Sequence, residues 1–259
     1  MRGTLFTTAT AALALAAFGG PAAADIVTQT VTYDVDGTTY EGYFAINDGI
    51  QGDQPVVLIV HDWDGLTDYE KRRAEMLAEY GVAAFAVDVY GQGVRPTTTE
   101  DKRAESGKLY QDRDALRARL AGGLEAALQM DGVEDDVIVI GYCFGGAAAL
   151  EFARAGADVD GFVSFHGGLG TPDGQDYSEV EAPILILHGS EDPVAPMAQV
   201  AALAEAMNAD NVDFEMQIYS GARHSFTEWS AKGEGSRYDA NADLKSWQAL
   251  LSFIDEQVD

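Results

Sequence analysis

The run Val137-Ile138-Val139-Ile140-Gly141-Tyr142-Cys143-Phe144-Gly145-Gly146 leads into Ala147-Ala148-Ala149-Leu150. It joins an apolar strand, a tight glycine-flanked turn and an alanine-rich helical pattern. Strand, Gly-x-Cys-x-Gly turn and helix are the parts of a nucleophile elbow, with cysteine at the tip. The glycines have a steric reason: the tip residue takes a strained backbone conformation, and a Cβ on its neighbours would collide with the turn. An elbow lifts the sulfur out of the sheet and aims the next N–H groups and a helix N-terminus at it. Both effects favour a thiolate and, later, a tetrahedral oxyanion. Cys143 is the only cysteine of the 259 residues, so it has no disulfide partner within the chain.

Outward from this turn, buried strands alternate with helical patterns. Upstream lie a strand over 55–60, an amphipathic helix over 68–80, a strand over 82–87 and a polar helical stretch over 99–130. Downstream come strands at 161–165 and 183–187, a helix near 197–207, a strand at 214–219 and a closing helix over 241–257. Two alternating runs, 27–35 and 39–46, frame Asp36-Gly37 and predict an antiparallel hairpin. Continuous apolar strands separated by helices imply a mostly parallel central sheet with helices on both faces. An antiparallel N-terminal hairpin feeding such a sheet makes the expected fold class α/β, in the α/β-hydrolase arrangement.

In that arrangement the acid and the histidine follow the nucleophile, each on a loop at the carboxyl end of a later strand. His188-Gly189-Ser190-Glu191-Asp192-Pro193 follows one strand and Ser220-Gly221-Ala222-Arg223-His224-Ser225-Phe226 follows the next. The candidate catalytic set is therefore Cys143, Asp192 and His224. His224 takes the thiol proton and returns it to the leaving group, and Asp192 fixes the ring tautomer. Asp192 has a second role open to it as a helix cap before Pro193, and Glu191 competes with it. Of the other histidines, His61 and His188 end apolar strands and suit backbone contacts there, while His166 follows the wrong strand for the base. The oxyanion donors are expected to be the backbone N–H of Phe144 and one from His61-Asp62-Trp63-Asp64-Gly65-Leu66, at Trp63. Trp63 as a lid over the pocket is the alternative.

Residues 1–24 read as a cleaved secretory signal: Arg2, an apolar stretch from Leu5 to Phe18, and Ala22-Ala23-Ala24 before Asp25. The remaining 25–259 are long enough, and apolar enough at 47% overall, for a single domain with a real core. A periplasmic or secreted location is expected, with no membrane association after cleavage. A single unpaired thiol in such a compartment is consistent with a thiol that is used. The formal charge of −27 repels nucleic acid and anionic lipid and keeps copies dispersed, so a monomer is expected. The histidines have no metal-ligand spacing, and no cofactor is implied.

These motifs resemble those of the dienelactone hydrolase family, over essentially the whole of 25–259. The resemblance is carried by His61-Asp62-Trp63-Asp64-Gly65-Leu66, Val87-Asp88-Val89-Tyr90-Gly91, Gly141-Tyr142-Cys143-Phe144-Gly145-Gly146, His188-Gly189-Ser190-Glu191-Asp192 and His224-Ser225-Phe226. It implies a Cys143-His224-Asp192 triad that hydrolyses small esters or lactones through a thioester acyl-enzyme. It also implies a supporting acid near the thiol that holds the resting cysteine neutral, and Asp62 stands at that position. Two substrate-binding arginines belong to the pattern. Arg103, ahead of Lys108-Leu109-Tyr110, matches the first, whereas Glu228 occupies the place of the second. An anion there repels a carboxylate and favours neutral or cationic substrates. The alternative function is a non-catalytic, small-molecule-binding or thiol-reactive periplasmic protein on the same fold.

Overall fold

An eight-stranded sheet runs through the molecule in the order β1-β2-β4-β3-β5-β6-β7-β8. The computed structural model describes residues 26–258, so the expected signal segment 1–24 lies outside the described residues. The hairpin strands β1 (Ile26–Val35) and β2 (Thr38–Asn47) pair antiparallel in continuous register. Asp36 and Gly37 between them have φ of 50° and 78°, the paired positive values that a two-residue hairpin turn needs. β2 joins the sheet antiparallel to β4 (Ala83–Val87). The remaining strands, β3 (Gln54–Val60), β5 (Val133–Tyr142), β6 (Gly161–Phe165), β7 (Ile184–Gly189) and β8 (Phe214–Tyr219), run parallel with β4.

The two faces are covered by separate apolar layers, and strand alternation sorts residues between them. Val56, Leu58 and Val60 of β3 face one layer, together with Val137 and Val139 of β5. Val57, Ile59, Ile138 and Ile140 face the other. The first layer is completed by α3 (Arg113–Leu128), α4 (Phe144–Arg154) and α5 (Met197–Ala209), the second by α1 (Asp68–Tyr80) and α6 (Ala240–Gln257). Helix α1 begins with a capping box, Thr67 and Glu70 satisfying each other's backbone N–H groups, and ends on Gly81 in the left-handed region.

The helical stretch expected over 99–130 is two helices, not one. α2 (Thr99–Gln111) ends and α3 begins at Asp112, whose φ and ψ of −118° and 82° are non-helical. Its N–H closes α2 on the Lys108 carbonyl, and its side chain caps α3 by accepting from the Ala115 N–H. An aspartate that caps the helix ahead of it competes with helix continuation through itself. The loops that follow β3, β5, β7 and β8 all emerge at the carboxyl edge of the parallel strands and assemble there.

Candidate active site

Cys143 stands between β5 and α4 with φ 51° and ψ −108°, a conformation an L-residue holds only under constraint. The constraint is visible on both sides. A Cβ on Gly141 would land on the Gly145 backbone, and one on Gly145 would land on the Val60 carbonyl. The Cys143 N–H donates to the Phe165 carbonyl at 3.0 Å, and the Phe144 N–H is directed at the sulfur. His224 Nε2 lies 2.9 Å from Cys143 Sγ, and His224 Nδ1 donates to Asp192 Oδ2 at 2.8 Å. The other Asp192 oxygen accepts from the Val194 and Ala195 amides, so the carboxylate orders its own turn and faces His224 at once. Burial opposes its charge, but the hydrogen bonds from His224 and the two amides hold the Asp192 carboxyl below its ordinary range. Glu191 is exposed and pairs with Arg223, away from His224. His61 and His188 contact the Asp62 and Ala195 carbonyls.

The electrostatics of the thiol differ from what the elbow alone implies. Burial first, and then the Asp62 carboxylate to which the thiol hydrogen-bonds, push Cys143 well above the ordinary thiol value, so the resting group is a thiol. The Phe144 amide opposes this and loses. Burial and neighbouring Asp64 raise Asp62 itself to about 6. Asp62 also accepts from the Trp63 N–H, so one expected oxyanion donor is held by a carboxylate in the free protein. The Asp62 N–H is in turn 3.3 Å from Glu70, a buried carboxyl raised to about 8 by burial. Asp62→Asn removes the charge facing the sulfur. Iodoacetamide alkylation of Cys143 at pH 7 is expected to accelerate roughly tenfold, the equivalent of one pKa unit. An unchanged rate would mean that burial alone sets the thiol.

A cavity of about 600 Å³ opens beside this loop, lined by Asp62, Trp63, Lys102, Ser225, Glu228 and Trp229 among others. Glu228 lies in its wall, its Oε1 accepting from the Ser230 N–H. Arg103 does not: its side chain is exposed on α2 and does not line this cavity. The cation there is the preceding residue, Lys102, which pairs with Asp64 at 3.1 Å and stands over the Trp63 ring. Helix α2 buries only Ser106 and Leu109, so its rotation is weakly written in its sequence.

A network that motif reading missed lies behind His224. The His166 ring stacks edge-on against it at 5.4 Å, and His166 Nε2 meets Thr227 Oγ1 at 2.8 Å. Thr227 also takes bonds from Tyr69 and Arg73, and Arg73 reaches Asp243 through its guanidinium. No three His, Cys, Asp or Glu side chains converge as a metal set among the described residues.

Comparison with known proteins agrees with the fold. The model of the dienelactone hydrolase family matches residues 40–258. The carboxymethylenebutenolidase of Pseudomonas putida is 27% identical over 206 residues, covering 77% of this chain and 85% of that protein. Among solved structures, m3DLH superposes with a TM-score of 0.86 at 31% identity, covering 90% of this chain and 99% of its own. A dienelactone hydrolase-like promiscuous phosphotriesterase from metagenomic libraries superposes at 0.85 and 32% identity, covering 91% and 99%. With a family match that runs from the hairpin to the last helix and solved structures that superpose over nine-tenths of it, the chain belongs to the dienelactone hydrolase family.

Proposed function

We propose that this protein is an exported hydrolase of small carboxylic esters or lactones that works through a thioester acyl-enzyme on Cys143. The observation that carries this reading is the unbroken line from Cys143 Sγ through the His224 ring to Asp192, at 2.9 and 2.8 Å. The thiol proton passes to His224 Nε2 as sulfur bonds the carbonyl carbon. The oxyanion is held by the Phe144 N–H and by the Trp63 N–H once Asp62 releases it. Collapse expels the alcohol oxygen with the proton from His224, and a water deprotonated by the same ring then cleaves the thioester. Asp192 stabilises the imidazolium at each transfer. Glu228, in the cavity wall on the His224 loop, favours a neutral or cationic group at that end of the substrate.

Export is supported by the apolar segment and Ala22-Ala23-Ala24 near the N-terminus and by the single thiol. The reading is tested with p-nitrophenyl acetate, neutral lactones, cis-dienelactone and a neutral phosphotriester, using the chain from Asp25. Turnover of at least one ester or lactone is expected, with loss to the uncatalysed rate in Cys143→Ala. Equal activity in the two proteins, or none in the wild type, would remove the acyl-enzyme.

A further inference from the structure

Glu151 of α4 is fully buried beneath three guanidinium groups. Arg117 meets its Oε1 at 2.6 Å, Arg113 its Oε2 at 2.8 Å and Arg154 the same oxygen at 2.9 Å. One carboxylate needs one such partner; three leave the cluster with excess positive charge. The next acid, Asp114, is 3.9 Å from Arg117 and almost wholly exposed, where water screens it. In a chain of net charge −27 this local surplus needs a reason.

The surplus opens into a second cavity of about 240 Å³, lined by Tyr110, Arg113, Ala147, Arg154, Val194 and Gln199 together with Gly168 and Gly170. That lining contains two arginines and no acid. Arg154 is committed at Nε to Gln175, at Nη1 to Tyr177 and at Nη2 to Glu151, so it contributes charge alone. Arg113 spends Nε on the Tyr110 carbonyl and Nη1 on Glu151, which leaves its Nη2 as the donor without a partner among the described residues. The cavity adjoins the first turn of α4, which begins at the elbow. The Tyr110 ring packs edge-on against Phe144 at 5.4 Å, and Ala147, one turn into α4, donates its N–H to the Cys143 carbonyl.

Chemistry decides which part of a substrate enters it. His224 must protonate the leaving oxygen, so the leaving alcohol lies against the His224 loop, where Ser225 and Glu228 line the larger cavity. An acyl chain that leaves the elbow on the side of Phe144 would run toward Tyr110, whose ring packs against Phe144, and from there toward Arg113. We propose that the Arg113–Arg154 cavity binds a carboxylate at the far end of the acyl chain, which makes half-esters of dicarboxylic acids the preferred substrate class. The site is then polarised, with its anion-accepting wall on the acyl side and its acidic wall on the alcohol side. This rests on the acyl-enzyme reading above.

The test compares p-nitrophenyl valerate with the p-nitrophenyl half-ester of glutarate, in which a carboxylate replaces the terminal methyl. Wild type is expected to prefer the half-ester. Arg113→Gln should lower the half-ester to valerate ratio of kcat/KM by roughly ten- to a hundredfold, the range of a charged hydrogen bond, acting mainly through KM. Glu151 keeps Arg117 and Arg154 in that variant, so the fold has its anchor. Lys108→Gln removes the same charge from an exposed site on α2 and should leave the ratio within about twofold, as screening of exposed charges requires. No change with Arg113→Gln, or an equal change with Lys108→Gln, overturns the proposal. If wild type cleaves neither ester, the acyl-enzyme reading fails first. The cavity is then judged by calorimetry of monomethyl glutarate with Cys143→Ala: binding that Arg113→Gln abolishes sustains it, and absence of binding overturns it.

Discussion

His224→Ala is expected to lower kcat on a p-nitrophenyl ester by roughly 10⁴- to 10⁶-fold, the loss typical when one member of a cooperating triad is removed. The size follows from the state of the sulfur. Cys143 rests as a thiol because burial and Asp62 disfavour its charge, so attack requires a base in contact with it. Only His224 combines a ring nitrogen 2.9 Å from Sγ with a carboxylate behind the ring. His166, whose ring is 5.4 Å away, cannot replace it. Its Nε2 is committed to Thr227, and burial drives it well below the ordinary histidine value. Asp62 is the remaining acceptor near the thiol, but it cannot deliver a proton at the leaving-group side. The measurement is the p-nitrophenolate burst and steady state, with free imidazole added to the variant. Partial recovery by imidazole identifies a missing base, which a structural role for the ring would not produce. Retention of a tenth of the activity would sink the assignment.

Legibility in the sequence followed how local each constraint is. The elbow was legible because its tight turn is a local constraint: a Cβ on Gly141 would meet Gly145 four residues on, although Gly145 is also pressed against the end of the distant β3. The Asp36-Gly37 turn and the α1 boundaries were legible for the same reason, since cap and turn chemistry sits in adjacent residues. Asp112 was not, because its neighbours on both sides suit helix and its cap role appears only in the backbone it breaks. The exchange of Arg103 for Lys102 is one step around a helix that buries two residues, too few to fix its rotation. The thiol's resting state depends on burial and on Asp62 from another strand's loop; the elbow motif contains neither, and only the family resemblance pointed to Asp62 beside the thiol. The His166–Thr227–Tyr69–Arg73 network joins residues up to 170 positions apart at its Asp243 end, and no spacing announces it.

Glu151→Ala is expected to destabilise the fold by about 3–5 kcal/mol, the cost of leaving a buried charge without its partner. The Glu151 side chain is inaccessible to solvent and Arg154 is 2% exposed, so the charge left behind is not rehydrated. Gln175, which donates to Glu151 and accepts from Arg154, loses half of its role as well. Glu151→Gln separates charge from volume, because the amide fills the space but sets a neutral group, with two donors of its own, among three guanidinium groups. If charge dominates, Gln costs most of what Ala costs; if packing dominates, Gln is close to wild type. Burial opposes the Glu151 charge, but Arg154, Arg117 and Arg113 outweigh it and hold the carboxyl below its ordinary value. A carboxyl lowered by folding contributes stability that is full above its unfolded pKa and is lost as pH falls through the folded one. The difference in urea midpoint between wild type and Glu151→Gln should therefore be largest near neutrality and shrink in acid. A difference that is constant with pH would mean that the three arginines are held by their stems and by Gln175 and Tyr177, with the carboxylate as a bystander.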